Sequence, residues 1–324
     1  MTTVVFGARG NVGSHVVSAL LAQGERVRAT SRDPARHGFP AAALKAAAEQ
    51  AGGEQAGGEQ AGGEQAGGEQ AAAGQAARRW DGVEVAAADL AEPATLPAVL
   101  DGAERAFLYA HPEGIDGFVT AARAAGLRRV VLLSTAALAR PEAAASPIAR
   151  RHRAVEEALE GSGLEWTFVR AGMFATNTLA WAPSIAADGR VGLPYPEAQT
   201  APLHEADIAA VAATALMSDG HHGRAYTLWG PESLTLREQV AAIAAALGRP
   251  IAVETITHER ARAEMTRTMP EFAVDAVLRV WRAGQGHPAA VSTLVPEVTG
   301  RPARTYAVWA RDHAQDFLVP KAVP

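Results

Sequence analysis

Short apolar runs alternate with amphipathic stretches through the first half of this chain. Runs rich in β-branched and aromatic residues predict strands at Thr3–Phe6, Arg26–Thr30, Val83–Ala87, Arg105–Tyr109, Val130–Ser134 and Trp166–Arg170. Apolar positions recur at helical spacing over Val12–Ala22, Ile115–Ala125 and Ala149–Leu159, which predicts helices there. Strands that alternate with helices pair in parallel, because each helix carries the chain back across a face of the sheet. Right-handed crossovers then give an α/β fold with a doubly wound parallel sheet.

After Arg170 the pattern changes. Residues 177–202 are rich in Pro, Gly and Trp and read as irregular. Beyond them the spacing predicts a helix over Ala206–Met217, a strand over Arg224–Trp229, a helix over Thr235–Leu247 and a strand over Ala252–Ile256. Further helices are expected near Glu259–Met265, Glu271–Arg282 and Thr305–Phe317. We therefore expect residues 1–176 to form the larger domain and residues 177–324 a smaller, dependent C-terminal α/β lobe for substrate.

Residues 49–70 fit neither pattern. Glu49-Gln50 leads into four copies of Ala-Gly-Gly-Glu-Gln. Each glycine disfavours a helix by about 1 kcal/mol relative to alanine, and nothing in the repeat fills a core. We expect a flexible surface insert in the second crossover, between Arg32 and Val83; a spacer or interaction arm is the functional alternative.

Composition narrows the chemistry. The 324 residues suffice for a sizeable core, and a net charge of −5 leaves no footprint for nucleic acid or an anionic membrane. With 0 cysteines, disulfides, thiolate catalysis and Cys-ligated metals are excluded. The histidines show no spacing with carboxylates that suggests a metal, so none is expected. No apolar run reaches membrane-spanning length, and no secretory signal pattern is present, so a cytoplasmic protein is expected. The lysines stand at Lys45 and Lys321.

The densest chemical signal is at the start. Val4-Val5-Phe6 runs into Gly7, Gly10 and Gly13, and the first helical pattern follows at once. Glycine serves where the chain turns tightly or must approach a pyrophosphate closely, and the free N–H groups at the helix start attract phosphate, which makes Asn11 and Val12 of the turn cofactor-binding candidates with the glycines. Strand, glycine turn and helix in that order form the first half of a dinucleotide-binding unit. Strand two ends in Thr30-Ser31-Arg32, where an acid would hold the ribose hydroxyls of NAD. A hydroxyl and a guanidinium would instead attract a 2′-phosphate, with Arg9 a second candidate, so NADP is favoured over NAD. Asp33 reads as a helix N-cap followed by Pro34.

The chain resembles the NmrA-like branch of the atypical short-chain dehydrogenases/reductases. The likeness lies in GARGNVGSHVV (7–17), TSRDPAR (30–36), AAADLAEPATL (86–96), VVLLSTAAL (130–138), HRAVEEALEGSGLEWTFVRAGMFATN (152–177), HEADIAAVAATAL (204–216), GPESLTLREQVAAIAAALGRP (230–250) and VPEVTGRPARTYAVWARDHAQDF (295–317). It implies a Rossmann-like domain and an NAD(P) site. It implies that Asp89 meets the adenine amino group and Leu90 packs on the ring, although Asp89 also suits a helix N-cap. Ala110 and His111 are then expected beside the central ribose. Ser134 is expected at the nicotinamide, with Gly172, Met173 and Phe174 on its face.

One family feature is missing. Reductases of the common branch use Tyr-x-x-x-Lys, in which tyrosine is the acid and lysine lowers its pKa. Here the lysines are preceded at that spacing by Ala41 and Phe317, and helix alignment puts Ile148 and His152 at the two positions. Candidate proton donors are His152, Ser134, His111 and Tyr195, with a solvated histidine and a loop-anchoring tyrosine as the plainer readings. Two functions stay open. One is an NAD(P)H-dependent reductase of a quinone or polycyclic aromatic substrate, which the resemblance narrows to aromatic polyketide antibiotic tailoring, where such reductases are labelled monooxygenases. The other is a non-catalytic NAD(P)-sensing regulator. The oligomeric state is not legible in the sequence.

Overall fold

The computed structural model describes residues 1–34, 80, 82–141, 143–267 and 269–318. The expected repeat insert at 49–70, and the helix that Asp33 would cap, lie outside the described residues.

The first half follows its apolar pattern closely. In chain order it forms β1 (Thr2–Val5), α1 (Gly13–Leu21), β2 (Arg26–Ser31), β3 (Val83–Ala87), α2 (Leu96–Leu100), β4 (Arg105–Tyr109), α3 (Ile115–Ala124), β5 (Arg129–Thr135), α4 (Pro147–Glu160) and β6 (Glu165–Ala171). The α4 helix starts at Ser146, whose side chain accepts the Ala149 N–H, with Pro147 preset for the first turn. The second half adds α5 (Ala182–Asp188), β7 (Arg190–Leu193), β8 (Gln199–Thr200), α6 (Glu205–Met217), β9 (Arg224–Leu228), β10 (Leu234–Thr235), α7 (Leu236–Leu247) and β11 (Ala252–Thr255). It continues with α8 (His258–Met265), α9 (Glu271–Ala283), α10 (Leu294–Thr299) and α11 (Tyr306–Asp312).

Seven strands form one sheet in the order β3-β2-β1-β4-β5-β6-β9. The pairings of β1 with β2 and β4, of β2 with β3, and of β4 with β5 are parallel. The doubly wound α/β Rossmann-like expectation holds. The order in which strands are added reverses beside β1, so the crevice of a doubly wound sheet opens at the carboxyl end of that strand.

The chain divides into two compact units. The first comprises residues 1–134, 140–169 and 212–225; the second comprises residues 135–139, 170–211 and 226–324. Each has its own core. In the first, Phe6, Leu96, Leu108, Phe118, Leu132 and Phe168 close on the sheet. In the second, Trp181, Ile185, Leu236, Tyr306, Trp309 and Phe317 pack together.

Two expectations need correction. Residues 177–202 are not irregular: α5, β7 and β8 lie there. Gly189 ends α5 in the left-handed region at φ +62°, and β7 pairs in parallel with β11, a partner far along the chain. The helix expected over 305–317 is broken. It stops at Asp312, and a 3-10 turn follows at Ala314–Phe317, because His313 turns its ring to Asp316 and Glu205.

Candidate functional site

The glycine turn after β1 is built by contact. A Cβ on Gly13 would stand 2.2 Å from the Gly7 carbonyl oxygen, so only glycine lets α1 start this close to the turn. Gly7 adopts φ +66°, and a Cβ there would press on the Tyr109 ring at 3.0 Å. The Gly10 N–H donates to the Gly7 carbonyl at 2.9 Å, which closes the turn. Val12 is the N-cap of α1 and supplies no side-chain cap, and an uncapped helix start of this kind is able to hold an anion.

Around the turn stand residues from neighbouring strand ends. Tyr109, which sequence reasoning did not single out, closes β4 against Gly7. Burial raises its phenol above the ordinary value, the Asp89 charge raises it further, and the Arg32 charge pulls it down. Tyr109 thus shares one neighbourhood with Gly7, Asp89 and Arg32, which the sequence placed on three different strands. The signal that could have found it was its position, the last residue of the strand beside β1. Ser31 is the final residue of β2.

Asp89 does not cap a helix. Its Oδ1 accepts the Ala91 N–H at 3.0 Å, a local turn, while its own N–H donates to Thr95 Oγ1. Leu90 is 2% exposed and belongs to the core of the first unit. Its carbonyl lies 2.0 Å from where a Cβ on Gly114 would be, so the turn after β4 sits hard against it. Ala110 packs partly on the same core. His111 meets Tyr109 edge-on with ring centres 6.4 Å apart, and its buried Nδ1 has no hydrogen-bond partner. Glu113 Oε2 is 3.9 Å from that nitrogen; Glu113 is itself held by Arg151 of α4 at 2.6 and 2.9 Å.

At the end of β5, Ser134 Oγ donates to Glu156 Oε1 at 2.7 Å. One turn earlier on α4, His152 Nδ1 lies 2.9 Å from the Ile148 carbonyl oxygen. A carbonyl only accepts, so the ring proton is on Nδ1 and Nε2 carries a lone pair. Burial lowers the His152 pKa, against the raising pull of the Ile148 bond and the Glu156 charge. At pH 7 the ring is neutral, with its N–H already committed.

The remaining candidates belong to the second unit. A Cβ on Gly172 would clash with Trp229 at 2.3 Å, and its N–H donates to the Leu228 carbonyl, so packing accounts for this glycine. Met173 accepts the Leu203 N–H at 2.8 Å, and Phe174 bridges to Leu203. The Tyr195 hydroxyl is hydrogen-bonded to His258 Nδ1 at 3.0 Å, a loop anchor. Among the described residues, no group of three His, Asp or Glu is placed to hold a metal, and no helix is long and apolar enough to cross a membrane.

A glycine cradle that a Cβ would fill, an uncapped helix start and an unpartnered buried imidazole nitrogen together fit a dinucleotide. Comparison with known proteins agrees. A family model described as the NmrA-like family matches residues 1–279. The (4-alkanoyl-5-oxo-2,5-dihydrofuran-3-yl)methyl phosphate reductase of Streptomyces griseus is 40% identical over 243 residues, 74% of this chain and 86% of that protein. An NAD(P)H azoreductase of Xenophilus azovorans is 39% identical over 243 residues, 73% of this chain and 84% of that protein. The structure of an NADPH-dependent quinone oxidoreductase from Escherichia coli, complexed with NADPH, matches with a TM-score of 0.68 over 96% of this chain and 99% of that one. Its 23% identity makes that a likeness of fold. These relatives are named as reductases or oxidoreductases; the monooxygenase label has no support among them.

Proposed function

Because the chain belongs to the NmrA-like family, we propose that it is an NAD(P)H-dependent reductase acting on a quinone or polycyclic aromatic acceptor. The observation that carries the cofactor half is the Gly7–Gly13 turn, where the backbone leaves no room for a Cβ at Gly13. In this reading Gly7, Gly10, Asn11, Val12 and Gly13 take the pyrophosphate, and Ser31 and Arg32, with Arg9 as a second candidate, take a 2′-phosphate, which favours NADPH. The nicotinamide supplies the hydride when bound. Asp89 and Tyr109 border the adenosine, and His111 offers its unpartnered Nδ1. The second unit, with Met173 packed on its aromatic core and Phe174 bridged to Leu203, is assigned the substrate.

The acceptor half rests on proton supply. Ile148 has no acid, His152 is neutral with its N–H on Ile148, and Ser134 gives its proton to Glu156. A carbonyl whose reduction leaves a localised alkoxide is poorly served by such groups. An acceptor that spreads the arriving charge, such as a quinone, is well served, since orientation does most of the work. The azo and dihydrofuran-one substrates named for the two relatives are likewise unsaturated. An aromatic polyketide quinone is the narrower substrate we favour.

The test is NADPH oxidation with a panel of quinones, with and without oxygen. We expect quinone-dependent consumption of NADPH in both conditions. Arg32→Ala should weaken NADPH about 10- to 100-fold and leave NADH unchanged, as for a lost charge-assisted bond. His152→Ala should slow turnover less than about 10-fold, below the roughly 100-fold of a lost general acid. A protein that binds NADPH tightly and reduces no member of the panel would overturn the reductase reading in favour of a cofactor sensor.

A further inference from the structure

The carboxyl end of β5 holds a pair of buried polar side chains to which the reduction chemistry assigns no task. Ser134 and Glu156 belong to the same compact unit, and their oxygens are 2.7 Å apart. Glu156 is sealed at 0% exposure, whereas Ser134 keeps 4%. Glu156 Oε2 stands 3.6 Å from Arg153 Nη1 on the same helix. In the bond between the two, Ser134 Oγ is the donor and Glu156 Oε1 the acceptor. A hydroxyl has one proton and two lone pairs. With its proton committed, Ser134 can offer any further partner nothing but a lone pair. It is an acceptor, not the proton donor the sequence suggested.

The sheet order says what stands near it. The glycine turn follows β1, while Ser31 and Asp89 end or follow β2 and β3 on one side. A dinucleotide with its pyrophosphate at that turn and its adenosine toward β2 and β3 extends its other half over β4 and β5. Two strand spacings put the end of β5 about 10 Å from that of β1, within the span of such a cofactor. The nicotinamide ring bears a carboxamide whose nitrogen is a two-proton donor, the complement of a serine reduced to its lone pairs.

We propose that Glu156 is a positioning residue that makes Ser134 an obligate hydrogen-bond acceptor, and that Ser134 accepts the carboxamide N–H of the nicotinamide. The proposal rests on the dinucleotide reading above.

The experiment needs no turnover. Wild type, Ser134→Ala, Ser134→Thr and Glu156→Gln are titrated with NADP+ and with its 3-acetylpyridine analogue, which has a methyl ketone in place of the carboxamide. Binding is read from tryptophan fluorescence, and folding from the melting temperature. Wild type should prefer NADP+ by about 5- to 10-fold, the size of one hydrogen bond. Ser134→Ala should bind the two alike, and Ser134→Thr should restore the preference. Glu156→Gln can turn an N–H toward the serine and release its proton, so its preference should narrow at an unchanged melting temperature. A preference that survives Ser134→Ala overturns the proposal. One lost in Ser134→Ala but kept in Glu156→Gln overturns the role of Glu156. If wild type binds neither dinucleotide, the cofactor reading falls and this inference with it; binding of both with no preference in wild type overturns this inference alone.

Discussion

Glu156 and Glu205 are both sealed from solvent, one in each compact unit, and they are held by different kinds of partner. Glu205 opens α6 and is braced by framework side chains. The Trp309 ring N–H donates to it at 3.1 Å, and His313 Nε2 meets it at 2.6 Å. Burial works to raise its pKa, but the His313 bond, a backbone N–H and the charges of His204 and His313 bring it below the usual carboxylate value. Burial likewise works against charge on His313, but its bonds to Glu205 and Asp316 lift it above the ordinary histidine value. Trp309 stacks on His313 with ring centres 4.6 Å apart. This is an ion pair built into a core. Glu156 faces a hydroxyl at the end of a parallel strand, where doubly wound sheets bind ligands. Equal burial therefore does not mean equal surroundings: Glu205 is held by side chains of its own core, Glu156 by a hydroxyl at a strand end.

Three experiments sharpen that contrast. Removing the brace should have the largest effect. Glu205→Ala leaves the Trp309 N–H without its acceptor and His313 with Asp316 alone, and we expect a loss of about 3–5 kcal/mol in urea unfolding. The protein that remains folded should bind NADPH as wild type does. A loss of less than about 1 kcal/mol would make the pair no better than a surface one.

Gly13→Ala comes next. The new methyl would have to enter at 2.2 Å from the Gly7 oxygen, so α1 must back away from the turn. Overpacking of this kind costs about 1–3 kcal/mol. Here the site suffers more than the fold: NADPH affinity should drop more than about 10-fold, because the helix start no longer faces the phosphate. Unchanged affinity would remove the turn from the binding site.

The smallest effect is on pH dependence. His313 has a raised pKa, so its contribution is complete below the ordinary value of 6.5 and is lost as pH rises through the raised one. Glu205 has a lowered pKa, so its contribution is complete above the ordinary value of 4.5 and is lost as pH falls through the lowered one. Thermal stability attributable to this pair should peak between those two values and fall by a few degrees toward alkaline pH. Scanning calorimetry across pH on wild type and His313→Gln checks it: the alkaline fall should flatten in the variant. An identical slope would assign it to other groups.

Much of the first half was legible because its signals are local. The strands at 83–87 and 105–109 have the bounds their apolar runs predict, and the glycine turn lies between strand and helix as read. The second half was less legible. Strand β7 is only four residues long and owes its existence to β11, so no window of sequence around it shows the pairing. Tyr109 escaped notice for the same reason: its importance is its contact with Gly7, not its neighbours in sequence.

By itself the sequence determined the alternation of strand and helix, the glycine turn, and the lack of a Tyr-x-x-x-Lys pair. Each depends on residue types within one element, and short-range sterics and periodicity suffice to read them. What the chemical groups can donate was decided by tertiary structure. Ser134 and Glu156 lie 22 residues apart, and only the fold makes the serine give its proton to that carboxylate. Burial, which no local pattern reports, keeps His152 neutral with its N–H on the Ile148 carbonyl. A side chain's identity sets how many protons and lone pairs it has; where they are spent depends on partners that only packing brings within reach.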